Sequence, residues 1–361
     1  MFSILRSLLF RLESEQAHAL ALGSLRLAQR FPAVLSILKA IYSARGKPVT
    51  AFGLTFKNPV GLAAGYDKDA LAVRGLGALG FGHVEVGTVT SLPQAGNPKP
   101  RVFRLPQDEA VVNRMGFPSR GATYVRKRLT FKPKISPFEY ALRRRLPNSD
   151  LVIGVNLGRN KETPNEQAVL DYLSLVQVFA PVADYLTINV SSPNTAGLRQ
   201  LQGRAALEGL LSQLHAQRTM EETQLKKRIP LLVKLAPDLG DAELDDALDA
   251  ILRTGMDGVI ATNTTLARDG LLSARAGEAG GLSGRPLAVR SEALLAKILQ
   301  RVDGKLPVVS VGGIMSPDDA VRRLEMGAAL VQLYTGLIYR GPGLIRQIVR
   351  ALPAEAGARG G

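Results

Sequence analysis

The sequence contains no cysteine, which excludes a disulfide framework, a thiolate nucleophile and a cysteine-bound metal, and is compatible with a reducing compartment. Histidine is scarce: His18, His83 and His215 lie far apart with no metal-ligand spacing. His83 and Glu85 would share one face of a strand, but two ligands fall short of a metal site, and none is expected. Aromatic residues make up only 5% of the chain, and no zinc finger, aromatic RNA-binding motif or basic heptad region is present. The net charge of +15 therefore does not point to nucleic acid. Such a field suits anionic metabolites or an anionic membrane surface equally well. No apolar run approaches the roughly 18 residues of a membrane-spanning helix. Arg6 and Arg11 interrupt the only candidate signal-peptide core, and Glu13 and Glu15 count against an organelle import signal. Also missing are the glycine-rich fingerprint of a doubly wound sheet and the Gly-Lys-Ser/Thr ending of a nucleotide-hydrolase loop.

What is present is a globular composition over 361 residues, 46% hydrophobic and 21% charged, long enough for a substantial core. Residues 1–47 stand apart. Ile4, Leu5, Leu8, Leu9 and Leu12, then Leu22 and Leu25, then Val34, Leu35, Leu38 and Ile41 recur at helical spacing. With Pro32 as divider, the segment reads as two basic amphipathic helices. They would either attach peripherally to an anionic membrane or pack on the body as a cap. From residue 48 to 352, after a small hairpin at 50–56, apolar strands alternate with helices. The strands are Pro59–Ala64, His83–Gly87, Leu151–Leu157, Tyr185–Ser191, Pro230–Ala236, Gly258–Asn263, Pro307–Gly313 and Leu330–Thr335. The helices between them lie at 166–180, 204–218, 241–254, 286–302, 317–327 and 343–351. Eight such strands predict an α/β (β/α)8 TIM barrel, with an open doubly wound sheet as the rival fold. The proline-rich stretch 89–150, with basic clusters at Arg126–Arg128 and Arg143–Arg145, reads as a functional insertion, and 353–361 as a frayed tail.

In such a barrel the carboxyl ends of the strands build the active site. Those ends carry Ala64–Lys68, Thr88, Asn156, Asn189 with Ser191 and Ser192, Lys234, Thr262–Thr265, Gly312-Gly313 and Tyr334–Gly336. Amides, hydroxyls and ammonium groups converge there without a carboxylate pair, which suits a planar ligand rich in carbonyl and N–H groups. The stretch from Asn189 to Asn194 is either part of this site or a polar turn. Lys234, inside a buried strand, either meets an anionic ligand or makes a structural ion pair. Gly312-Gly313 and Gly336 follow strands seven and eight, where such barrels bind phosphate, although glycines also make plain turns. Lys68 and Arg104 add positive charge, and Asn113–Phe117 and Gly280–Pro286 offer backbone donors on loops.

Seven motifs carry a resemblance: Gly61–Lys68, Gly96–Arg101, Asn113–Phe117, Asn189–Arg199, Ala261–Leu266, Gly280–Pro286 and Ser310–Ile314. Together they make the chain closely similar to dihydroorotate dehydrogenases of the quinone-dependent, membrane-associated class (class 2). The N-terminal helical segment fits that class. Soluble relatives lack it and use a cysteine base that this chain cannot supply. The resemblance implies one non-covalent FMN and oxidation of (S)-dihydroorotate to orotate in pyrimidine (UMP) synthesis, with electrons passing to a membrane quinone. It implies Ser192 as the base, its proton relayed by Thr195 or a water. Substrate would be held by Lys68, Asn113, Arg114, Met115, Gly116, Phe117, Asn189, Asn194, Asn263 and Thr264. FMN would be held by Ala64, Gly65, Tyr66, Asp67, Lys68, Thr88, Asn156, Asn189, Lys234, Thr262, Gly284, Gly313, Tyr334 and Thr335, with its phosphate on the Gly313 and Thr335 side. His18, Arg104 and Tyr334 would line the quinone channel. Tyr66 departs from the family pattern, in which this position is more often a smaller apolar residue. A monomer on the cytoplasmic side of the cell membrane is expected. The rivals are another FMN barrel oxidoreductase, a Schiff-base lyase using Lys234, and a non-catalytic membrane adaptor.

Overall fold

The computed structural model describes residues 2–130 and 151–352. All eight expected strands form, and they close into a parallel barrel. In chain order they are β1 (Val60–Leu62), β2 (His83–Val89), β3 (Val152–Leu157), β4 (Tyr185–Asn189), β5 (Leu231–Leu235), β6 (Gly258–Ala261), β7 (Val308–Val311) and β8 (Leu330–Leu333). Each pairs with its sequence neighbour, and β8 closes on β1, so the open doubly wound sheet is excluded. The strands are buried on both faces, which is why they read as continuous apolar runs. The observed strands stop short of several expected ends. Thr335, expected to end the eighth strand, starts the helix Thr335–Arg340.

Outside the barrel, helices such as Ala168–Phe179, Arg204–Leu225, Asp241–Arg253, Ala288–Val302, Pro317–Glu325 and Gly343–Ala351 bury apolar faces against the strands. The helix at 317 starts with a capping box: Ser316 Oγ accepts from the Asp319 amide, and the Asp319 carboxylate accepts from the Ser316 amide. The hairpin Val49–Ala51/Leu54–Phe56 plugs the amino end of the barrel. Phe52 and Phe56 pack there against Leu232, Ile260, Val309 and Leu330 of the barrel interior.

Two regions differ from expectation. The N-terminal segment forms three helices, not two: α1 (Phe2–Leu9), α2 (Ser14–Ala28) and α3 (Pro32–Tyr42). Pro32 opens α3 as expected, but a further break separates Leu9 from Ser14. There the Glu13 carboxylate caps the amides of Glu15 and Gln16. The insertion after β2 holds the helix Ala122–Thr130 and two strands, Val102–Leu105 and Ala110–Asn113. With Gly281–Gly284, expected to be a flexible cradle, these make a three-stranded antiparallel sheet. Arg126–Arg128 lie on that helix. Arg143–Arg145 and the tail lie outside the described residues.

Candidate active site

Parallel register brings the strand-end side chains together. Gly87 stands opposite Asn156, and Asn189 opposite Lys234. Asn156 Nδ2 donates to Glu85 Oε1 at 2.8 Å. Asn156 Oδ1 then accepts from Asn189 Nδ2 at 2.9 Å and from the Thr88 hydroxyl. Glu85 Oε2 accepts from the Tyr185 hydroxyl at 3.1 Å and from Gln332 Nε2 at 3.0 Å. Glu85 and Asn156 are fully buried, so every bond of this network is made where an unmade one is costly. His83 lies in the same interior beside Gln332. Burial holds its pKa down at about 3, so it is a neutral ring. No cluster of three or more candidate metal ligands occurs among the described residues.

Above this floor opens a cavity with about 950 Å³ of empty volume including its mouth. Thr88, Asn189 and Lys234 line its base. Lys234 is 5% exposed and makes no hydrogen bond or ion pair with a described residue. Burial lowers its pKa, and the Glu85 carboxylate opposes that shift. On one wall are Ala64, Gly65 and Lys68, whose ammonium donates to the Gly65 carbonyl. Burial, and secondarily Arg101, bring Lys68 down to about 8.

Asn113, Asn194, Asn263 and Ser192 form a ring of neutral polar groups at the mouth. Asn194 Nδ2 donates to Asn113 Oδ1 at 3.2 Å, and Asn263 Nδ2 donates to Ser191 Oγ at 3.0 Å. The Thr264 amide donates to Asn263 Oδ1 at 2.8 Å. The loop after β4 turns Ser192 into the cavity, where its Oγ accepts from the Asn194 amide at 3.2 Å. Thr195 Oγ1 is buried and makes no hydrogen bond. Met115, Gly116 and Phe117 also line the mouth, and Thr262, Gly284, Gly313, Tyr334 and Thr335 complete the opposite wall.

Several expected site residues are not on this wall. Asn156 stands one layer behind it. The Arg114 guanidinium turns away to Glu278 at 2.7 Å and lies over the Phe103 ring. The Asp67 carboxylate accepts from the Leu71 and Ala72 amides at 2.8 Å each, which fixes the loop after β1. Tyr66 packs edge-on between His18 of α2, at 4.9 Å, and Tyr334, at 5.9 Å. An aromatic row thus runs from the N-terminal helices to the cavity wall. Burial, and secondarily Lys68, hold His18 at about 4, so it is neutral near pH 7. Arg104 grips the α1–α2 junction: Nη1 donates to the Leu9 carbonyl at 3.0 Å, Nη2 to the Leu12 carbonyl, and the guanidinium covers Phe10.

Sequence reasoning passed over Leu287 and Gln332, which also line the cavity, and the role of Glu85 beneath it, and it took Ser283 only as part of the Gly280–Pro286 loop. A carboxylate inside a buried strand was the available signal, since such a group must be hydrogen-bonded.

A family model described as dihydroorotate dehydrogenase matches residues 48–355. A protein named dihydroorotate dehydrogenase (quinone) from Idiomarina loihiensis is 47% identical over 352 residues, covering 98% of this chain and all of that one. A relative of the same name from Salinispora arenicola is 50% identical, covering 96% of this chain and 97% of its own. The crystal structure of the Eimeria tenella enzyme in complex with ferulenol superposes with a TM-score of 0.76 at 40% identity, covering 88% of each chain. The chain belongs to the dihydroorotate dehydrogenase family.

Proposed function

We propose that this chain oxidises (S)-dihydroorotate to orotate in pyrimidine synthesis, with FMN in the barrel mouth and a membrane quinone as acceptor. The observation that carries this reading is the ring of neutral amides around Ser192, set above a partnerless buried ammonium. Lys234 fits the carbonyl edge of a flavin: a cation in a dry strand needs an electron-rich partner, and the described residues supply none in contact. Gly284 and Gly313 line the cavity without a side chain, and each is held to glycine by neighbouring backbone that a Cβ would meet within 2.4 Å. The chemistry FMN supplies when bound is acceptance of a hydride and delivery of two electrons to the quinone.

The residues of the chain do the rest. Lys68 faces the substrate carboxylate, and Asn113, Asn189, Asn194 and Asn263 match the donors and acceptors of the pyrimidine ring. Ser192 Oγ takes the C5 proton as hydride leaves C6. A hydroxyl is a weak base, so substrate alignment carries much of the effect. Phe117, Leu287 and Ile314 give the lining its apolar surface.

The N-terminal helices support a peripheral membrane role. Ile4, Leu5, Leu8, Leu20, Leu27, Phe31, Ile37 and Ile41 are exposed, while Ala17, Leu22 and Leu35 pack inward. Among the described residues no helix is long and apolar enough to cross a membrane. The chain acts as a monomer on the cytoplasmic face, with His18, Tyr66 and Tyr334 along the quinone path.

The deciding experiment is dihydroorotate oxidation by purified yellow protein with a quinone, compared with fumarate and NAD. Orotate should form with the quinone alone. A colourless protein inactivated by borohydride in the presence of substrate would favour a Lys234 Schiff base. Hydroxy-acid oxidation needs a histidine at the mouth, and no histidine lines the cavity among the described residues.

A further inference from the structure

A buried arginine stands behind the glycine cradle of the cavity. Arg323, on the helix Pro317–Glu325, has no exposed surface. Its Nη1 donates to Ser310 Oγ at 3.0 Å, and its Nη2 donates to the Ala288 carbonyl at 3.0 Å and to Ser291 Oγ at 2.9 Å. Its Nε is buried without a partner. No carboxylate among the described residues forms an ion pair with it. The acids nearby are engaged elsewhere: Glu292 and Asp319 with Arg322, and Glu109 with Arg285 and Arg340.

A guanidinium without an ion pair is expensive to bury, and burial works against this one, with the charges of Glu292 and Asp319 offsetting part of that cost. Its position adds to the cost. Ala288 and Ser291 belong to the first turn of the helix Ala288–Val302, whose amino end is itself positive. Two positive features set together favour an anion, and the Gly312-Gly313 stretch of the cavity wall lies beside them. Ser310 precedes Gly312-Gly313, and Ser291 Oγ donates to the Gly312 carbonyl at 2.8 Å. Gly313 has φ +72°, and a Cβ there would lie 2.3 Å from Ala288 Cα. Only glycine allows the strand end to pack this closely on the start of that helix.

We propose that Arg323 is the buried counter-charge for a phosphate monoester held at Gly312-Gly313, a positioning residue that makes the cavity prefer a phosphorylated flavin to an unphosphorylated one. This deepens the FMN reading and rests on it. The guanidinium acts through space and through Ser291, which fixes the cradle, and it does not touch the reacting atoms.

The test compares dissociation constants of FMN and riboflavin, by flavin fluorescence, for the flavin-depleted full chain and its Arg323→Met and Arg323→Lys variants. In Arg323→Met, FMN affinity should fall at least roughly tenfold while riboflavin affinity stays within about threefold, the mark of a lost charge interaction. Arg323→Lys should keep the preference for FMN. Equal losses for both flavins, or none, would overturn the proposal and leave the FMN reading standing. Wild-type protein that binds neither flavin would sink that reading itself. Should Arg323→Met not fold, phosphorus NMR compares the wild-type and Arg323→Gln holoenzymes. The bound phosphate, whose ordinary second pKa is about 6, should take up its proton at higher pH in Arg323→Gln than in the wild type, and the same titration in both would overturn the proposal.

Discussion

The side-chain amide of Asn156 has its orientation set by Glu85. With Nδ2 donating to Glu85 Oε1 at 2.8 Å, its oxygen must face Asn189 Nδ2 and the Thr88 hydroxyl, both on the cavity wall. The same carboxylate opposes the loss of charge at Lys234. These two roles separate by mutation. In Glu85→Gln the new oxygen can still accept from Asn156. The new amide can donate to Gln332, whose unpartnered Oε1 can turn towards it, but the buried Tyr185 hydroxyl loses its acceptor. Folding stability should therefore fall by about 1–3 kcal/mol, the cost of one unsatisfied buried donor. Lys234, no longer facing a carboxylate, should lose its proton at lower pH than in the wild type. FMN affinity should then begin to fall at lower pH, measured by fluorescence titration across an alkaline series. Identical pH profiles for the two proteins would count against electrostatic coupling between Glu85 and Lys234.

Ser192 is the second test. Ser192→Ala removes one hydroxyl from a cavity that keeps its amides and Lys234, so the protein should stay yellow and bind orotate within about threefold of wild type. Anaerobic flavin reduction by dihydroorotate should slow by roughly 10²- to 10⁴-fold, the usual contribution of a positioned base. Stopped-flow absorbance at the flavin band reads this directly. A variant that reduces at the wild-type rate would assign the base elsewhere.

The barrel was legible because its strands are buried on both faces and so appear as uninterrupted apolar runs, each ending in a small polar cluster. That pattern also exposed Ser192, Asn189, Asn263 and Lys234. What stayed hidden depended on distant partners. Val102–Leu105 and Ala110–Asn113 are four residues each within proline-rich sequence, and their third strand, Gly281–Gly284, lies far along the chain and begins and ends in glycine. The break between α1 and α2 is held by Arg104, over 90 residues away, which satisfies the Leu9 and Leu12 carbonyls. Arg114 lies inside a site motif, yet its charge is claimed by Glu278, a contact that no local pattern announces. Glu85 and Arg323 hold the site from behind, and a strand or helix reading places neither near a ligand.

Lys68 ties substrate binding to pH. Burial and Arg101 hold the ammonium at about 8 in the free protein. Because the pKa is lowered, the cation is fully present below 8 and is lost as pH rises through that value. The orotate carboxylate needs the cation, so orotate affinity should be flat below pH 8 on this account and fall by up to about tenfold per unit above it. Isothermal titration of orotate from pH 6.5 to 9.5 tests the slope. Lys68→Met should weaken binding at neutral pH and remove the alkaline fall. If that variant retained the fall, another group would own the titration.

The last prediction concerns α1–α3. Ile4, Leu5 and Leu8 are each more than half exposed on one helix, while Glu15 of α2 is tied to Arg101 and His18 to Tyr66. The apolar face and the docking face are therefore separate. Each apolar side chain inserted in lipid contributes roughly 1.5–3 kcal/mol at full burial, so replacing all three with serine should weaken binding to anionic vesicles by at least about a hundredfold. Co-sedimentation measures this, and flavin reduction by dihydroorotate should be unchanged. Deleting residues 1–45 goes further, since it removes the His18–Tyr66 contact as well. Flavin reduction should survive and turnover with long-chain quinones should be abolished, while a soluble dye acceptor still works. Normal turnover of the truncated protein with long-chain quinones would show that the aromatic row from α2 to Tyr334 is packing alone.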